Sequence, residues 1–190
     1  MVFVFGYQRR LRQALTRTLT GAVLAGMALA LAACATAPAR DADADADAVT
    51  FIIVRHAEKG SDDARDPSLS EAGRARAQRL AALLRDEPVH AAYATAYRRT
   101  YQTAQPVAAD HFFRITTYDA QLPAPQFAEQ LRALNKTGTV LVVGHSNTVP
   151  GIVGALSGQS VGAIGDDEFN RLYRVRIGAD GKATLSQETY

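Results

Sequence analysis

The sequence predicts a three-layer α/β/α sandwich built on a mainly parallel central sheet. Three observations carry that expectation. Short apolar runs alternate along the chain with amphipathic stretches of helix length, the mark of successive βα units. The runs "FIIV" at 51–54 and "VLVV" at 140–143 are apolar throughout, as strands covered on both faces must be. Finally, two strand-like stretches are joined across "GADGK", where Asp180-Gly181 suits a tight hairpin turn.

The elements follow in order. Residues 49–54 form the first strand. Residues 70–85 form a helix, with Ser70 at its N-cap and Leu80, Leu83 and Leu84 as its apolar stripe, and Pro88 stops it. A short strand spans 91–95, a helix 98–110, a strand 112–118 and a helix 125–135. The second buried strand covers 139–143, and a helix runs from Asn147 to about Leu156. Residues 169–177 and 183–189 form the hairpin. About 140 residues from Val49 onward suffice for one core. Ligands of such sheets bind beyond the carboxyl ends of the parallel strands.

The chain before residue 49 has another character. Arg9, Arg10, Arg12 and Arg17 precede the apolar run "TLTGAVLAGMALALAAC", the order of a secretory signal. The run from Leu19 to Ala33 is short for a span of about 20 residues. It ends on Leu31-Ala32-Ala33-Cys34, which resembles the lipobox of bacterial lipoprotein precursors. That resemblance implies a signal peptide over 1–33, cleavage before Cys34 and acylation of the new terminus. Three acyl chains exceed the two signals that stable anchoring requires. Ala35 stands where an aspartate would imply inner-membrane retention. The expected location is therefore the cell envelope, at the outer membrane and facing the periplasm. Residues 34–48, "CATAPARDADADADA", have no apolar face and read as a solvated tether, leaving 49–190 as the folded domain.

Cys34 is the sole cysteine, which excludes an intrachain disulfide. The formal charge of +2 belongs to the signal: without residues 1–33, 17 basic residues face 19 acidic ones, about −2. Nucleic acid is not an implied partner.

Arg55-His56 and Gly144-His145 both lie just past buried strands, at the edge where a ligand would sit. Two imidazoles and nearby arginines suit phosphoryl transfer. The transferred group spreads negative charge over three oxygens and needs fixed cations with an in-line nucleophile. Neutral imidazole can be that nucleophile.

The segments "VRHAEK" (54–59), "LSEAGRARAQRLAALL" (69–84), "ATAYRRTYQTA" (94–104) and "VLVVGHSNTVPGIV" (140–153) together resemble the histidine phosphatase superfamily, which has the phosphoglycerate-mutase-like fold. The resemblance implies that His56 is a nucleophile forming a phosphohistidine. It makes Arg55 and Arg99 phosphate-binding, Arg99 because Thr103-Ala104 follows at the family spacing. His145 becomes the second histidine, protonated or hydrogen-bonding to phosphoryl oxygens. Arg98 is expected to point elsewhere, Lys59 to lend charge at the rim, and N–H groups at the helix start after His145 to add to the anion site. His90 and His111 are read as structural, Glu58 as a loop charge or partner of Lys59, and Arg74, Arg76 and Arg79 as a solvated helix face. Gly73 is read as permitting close helix packing.

Two departures matter. Ala57 replaces the glycine of the family's RHG motif, a tolerable change unless that position needs φ > 0. The general acid is not evident. Ser146 and Asn147 exclude the His-Asp branch, and Asp119 is the nearest carboxylate to the glutamate of other branches. Asp119 is therefore assigned as the acid, with a turn cap as the alternative. Short connections leave no room for an enclosing cap, which favours an open-site phosphatase over a mutase. No cofactor or metal is implied. The expected substrate is a phosphorylated small molecule, glycolipid or phosphoprotein. The rival reading is a non-catalytic lipoprotein that binds phosphate or glycan on the same fold.

Overall fold

A computed structural model describes residues 47–190. The signal segment 1–33, Cys34 and the tether as far as residue 46 lie outside the described residues.

Ten elements follow one another: β1 (Val49–Arg55), α1 (Glu71–Leu84), β2 (Val89–Thr95), α2 (Arg98–Asp110), β3 (Ile115–Tyr118), α3 (Ala124–Leu134), β4 (Gly138–Gly144), α4 (Val149–Ser157), β5 (Arg171–Ile177) and β6 (Ala183–Thr189). They build one six-stranded sheet in the order β3-β2-β4-β1-β5-β6. The first four strands of that order are parallel, and β5 and β6 run antiparallel.

Side chains of a strand alternate between the sheet's faces, and β1 uses both. Phe51 and Ile53 join Val140, Val142, Phe127 of α3 and Ile152 of α4 in one cluster. Ile52 and Val54 join Leu141, Val143, Leu80 and Leu84 of α1 and Val107 of α2 in the other. Helices therefore cover both faces, giving the three-layer sandwich.

Element ends differ from the sequence reading where local capping takes over. The expected strand from Phe112 begins only at Ile115. Residues 111–113 instead finish α2: Phe112 sits at φ 58° and the Phe113 N–H donates to the Ala108 carbonyl, a left-handed helix end. The helix expected from Asn147 begins at Val149, because the N–H groups of Thr148 and Val149 both turn back to the His145 carbonyl. In α1 the buried stripe is Gly73, Ala77, Leu80, Ala81 and Leu84, and Leu83 lies outside it, 46 % exposed.

One register matters most for the site. β1 and β4 pair in parallel with Arg55 opposite Gly144. The residues that follow, His56 and His145, therefore leave the sheet side by side.

Candidate active site

The His56 N–H donates to the Gly144 carbonyl (2.9 Å), extending the β1–β4 ladder by one step. The two imidazole centroids then stand 5.3 Å apart at 67°. Gly144 is required here, because a Cβ on it would press on Thr148 Oγ1 and the Tyr118 hydroxyl.

His56 Nδ1 lies 2.8 Å from the carbonyl oxygen of Ala57. A carbonyl only accepts, so Nδ1 carries the hydrogen and Nε2 keeps its lone pair. Burial pushes the His56 pKa down to about 3; the Ala57 hydrogen bond opposes this, while His145, Arg99 and Arg55 add to it. His145 is pushed down to about 4 by burial, then by Arg99 and Arg55. Both rings are neutral at pH 7, the form a nucleophile needs.

Arg55 is only 8 % exposed. Its Nη1 donates to three carbonyls of a distant loop, those of Gly165 (2.7 Å), Asp166 (2.9 Å) and Glu168 (3.1 Å). Its guanidinium lies 4.1 Å from the Phe169 ring centroid, and that ring is 6.1 Å from His56. Nε is buried without a hydrogen-bond partner. No carboxylate pairs with this cation within ion-pair distance among the described residues.

Arg99 stands in the first turn of α2, its guanidinium 4.4 Å from the Tyr97 ring centroid and 3.7 Å from Asp66 Oδ1. Tyr97 in turn meets His145 edge-on at 5.3 Å. Arg98 does point elsewhere, to Asp62 at 3.1 Å. The spacing of Arg99 and Thr103 has a physical cause. Thr103 Oγ1 donates to the Arg99 carbonyl one turn back (2.7 Å) and accepts the Ala57 N–H (3.0 Å). One hydroxyl thus fastens the His56 loop to the turn that carries Arg99.

His145 has its own support. Its Nε2 is 3.0 Å from Thr95 Oγ1, at the end of β2, and Thr95 Oγ1 is 2.9 Å from Thr100 Oγ1. The His145 N–H donates to Thr148 Oγ1 (2.9 Å), and α4 begins four residues after His145, while Ser146 and Asn147 line the same cavity as the ring.

These side chains share a cavity of about 320 Å³, where Arg55, His56, Arg99 and His145 meet Lys59, Arg65 and Asp166. Asp119 is not brought there. It is exposed, its Oδ1 accepts the Gln121 N–H (2.9 Å), and it lines an adjoining cavity of about 330 Å³ beside Asp66 and Tyr97. Glu58 partners Arg76 (2.7 Å) and not Lys59. Arg76 is correspondingly drawn out of solvent, reaching the Tyr190 carbonyl as well. Arg74 donates to the Leu69 carbonyl, and His111 Nε2 sits 3.1 Å from the Leu84 carbonyl. Gly73 does permit close packing: a Cβ there would overlap the Glu58 carbonyl oxygen.

Thr95, Tyr97, Arg65, Asp166 and Phe169 were not anticipated. Thr95 was within reach of sequence reasoning, since it ends a strand next to those bearing the histidines. The loop 165–169 carries no periodic signal that could have placed it.

Residues 51–123 match the family model for the histidine phosphatase superfamily (branch 1). No curated protein matches the chain. Among solved structures it is similar to the protein histidine phosphatase SixA complexed with tungstate, at TM-score 0.63 and 20% identity, covering 74% of this chain and 96% of that one. It is also similar to a phosphoserine phosphatase from Entamoeba histolytica in complex with 3-phosphoglyceric acid (TM-score 0.58, 15% identity, 75% and 98% covered). A phosphoglycerate mutase from Bacillus anthracis str. Sterne matches as well (TM-score 0.55, 17% identity, 77% and 95% covered). The fold is therefore phosphoglycerate-mutase-like, and the family-model match over residues 51–123 supports a phosphatase hydrolase.

Proposed function

We propose that this protein is a lipid-anchored phosphatase of the cell envelope that hydrolyses phosphomonoesters or phosphoramidates through a phosphohistidine on His56. The observation that carries the reading is the convergence of a neutral His56 ring with Arg55, Arg99 and His145 on one cavity of about 320 Å³. In the first half-reaction, His56 Nε2 attacks phosphorus and the bond to the leaving group breaks. In the second, water attacks the phosphohistidine, the P–N bond breaks and inorganic phosphate departs. Arg55 and Arg99 neutralise the equatorial oxygens in both steps. His145, neutral when the site is empty, hydrogen-bonds to those oxygens and gains basicity as the dianion binds.

Phosphoramidate substrates, including phosphohistidine on proteins, are favoured by the likeness to SixA, described as a protein histidine phosphatase. Anchoring rests on the Cys34 lipobox alone.

The test is trapping. A brief reaction of the purified chain with a ³²P-labelled donor should leave an acid-labile, base-stable label that maps to His56, and His56→Ala should abolish both label and turnover. Turnover that persists in His56→Ala would remove the mechanism. Separately, radiolabelled palmitate should be incorporated in cells by the natural chain and not by Cys34→Ala.

A further inference from the structure

The nucleophile and the cations leave one part of the chemistry unassigned, a proton for the departing group. We propose that Asp166 supplies it, acting as general acid in the first half-reaction and as general base in the second. The inference rests on the phosphohistidine reading above.

Placement is the first argument. Asp166 lies on the wall of the cavity that holds His56, Arg99 and His145, and it is the carboxylate residue bordering that cavity among the described residues. Availability is the second. The nearby competitors are engaged or stand off the cavity: Glu58 is held by Arg76, Asp62 by Ser68 and Arg98, Asp66 by the Arg98 N–H and Asp119 by the Gln121 N–H, while Asp167 does not line the cavity. Glu168 is held by two contacts of 2.7 Å to Arg171 and by the Gly165 N–H. No hydrogen bond among the described residues engages the Asp166 carboxylate.

The third argument is bracing. An exposed loop carboxylate is normally a poor catalytic group because it wanders. This one is tied on both sides. The Arg55 guanidinium grips the carbonyls of Gly165, Asp166 and Glu168, and Phe169 packs on that guanidinium. Ile164 is buried in the core, 7 % exposed. The cation at the phosphate thus holds in place the loop that delivers the acid.

The steps balance. His56 Nε2 forms the P–N bond while the P–O bond to the leaving group breaks, and the protonated Asp166 carboxyl passes its hydrogen to the leaving oxygen. The resulting carboxylate then takes a proton from water as the water oxygen attacks phosphorus. The P–N bond breaks, phosphate leaves, and Asp166 is protonated again.

The experiment uses the full chain and a series of substituted phenyl phosphates, from phenol to 2,4-dinitrophenol as leaving groups, with kcat/KM and single-turnover phosphorylation measured. Asp166→Asn, which keeps the side-chain shape, should slow phenyl phosphate by about 10²-fold or more and 2,4-dinitrophenyl phosphate by less than about threefold, since a good leaving group needs no proton. Asp166→Glu should recover part of the loss, with the natural dependence on leaving group. A loss of equal size across the series, or none with phenyl phosphate, would overturn the assignment; equal loss would make Asp166 a loop-positioning residue only. Should Asp166→Asn lose its fold by circular dichroism, Asp166→Glu and Asp166→Ser carry the same comparison. His56→Ala is run alongside. Turnover surviving in that variant sinks the nucleophile assignment itself, whereas a dead His56→Ala with an unchanged Asp166→Asn sinks only this inference.

Discussion

Arg55 and Arg174 are both drawn out of solvent on neighbouring strands, yet they are treated in opposite ways. Arg174 meets Glu87 through two contacts, 2.8 and 2.7 Å, and reaches Glu188 at 3.4 Å. Its pKa is raised, chiefly by the Glu87 hydrogen bonds. Arg55, the more deeply buried, meets carbonyl oxygens and an aromatic face instead, and burial lowers its pKa. A carbonyl accepts a hydrogen bond but does not cancel a charge. Arg76 with Glu58 repeats the Arg174 pattern. A buried ion pair already has its counter-charge and clamps the fold; a buried cation without one is costly until an anion arrives. The comparison sets Arg55 apart from the clamping arginines without reference to any relative.

The largest effect should come from removing a site cation. Arg99→Ala should lower kcat/KM by about 10²–10³-fold, the scale of losing one preorganised group that stabilises transition-state charge. Its urea midpoint should hardly move, because its one ion pair among the described residues is a long 3.7 Å contact. A fall in stability with activity intact would place Arg99 among the clamps.

Acidity should act next, through the two histidines. In the folded chain His56 and His145 stay neutral down to about pH 3 and about 4, whereas unfolded histidine takes up a proton near pH 6.5. Between those values the unfolded state binds more protons, so stability falls as pH falls through that window. Urea midpoints at pH 7.5, 6 and 5 should decrease in order, and saturating inorganic phosphate, which favours charged imidazole, should flatten the trend. A midpoint that rises on acidification contradicts the buried neutral pair.

Arg174→Ala is the mirror image of Arg99→Ala. It should cost about 1–3 kcal/mol of stability, since the pair is partly buried and leaves Glu87 unmatched. Hydrolysis should stay within about twofold of the natural rate, as loss of a surface-side clamp leaves the site intact. Smaller again is Thr95→Val, which removes the hydroxyl 3.0 Å from His145 Nε2. Losing that hydrogen bond is expected to slow kcat about tenfold, or about 1.4 kcal/mol, with KM little changed. Equal changes in both would indicate a general loosening of the pocket.

The sequence disclosed the fold and the quartet of the proposed site for one reason. Strands buried on both faces announce themselves by composition, and the site hangs directly on their ends. Arg55-His56 and Gly144-His145 need only the β1–β4 register to meet. What stayed hidden depends on contacts across long separations. Phe169 and the carbonyls of residues 165–168 reach Arg55 from more than 100 positions away, through a loop without periodicity. Arg76 resembled a solvated helix charge because nothing in its own helix shows that Glu58 lies against it. Asp119 was judged by its place after a strand, but a short aspartate side chain reaches its own backbone two residues on, and that local bond took it.

The smallest effect concerns Ala57, where the family has glycine. Outside glycine, Phe112 is the positive-φ position among the described residues, so Ala57 does not occupy the left-handed region that would demand glycine. Its methyl packs with Leu69 and Ala77 and is fully buried, while its N–H is held by Thr103. Ala57→Gly therefore relieves no strain, deletes one buried methyl and frees the backbone, for a loss of about 0.5–1.5 kcal/mol. Turnover should remain within about twofold, because the His56–Arg55 geometry is set by the sheet register and by Thr103, not by the Cβ. A tenfold gain in kcat on restoring glycine would mean that the loop is strained after all, and that Ala57 holds the His56 loop away from its working position.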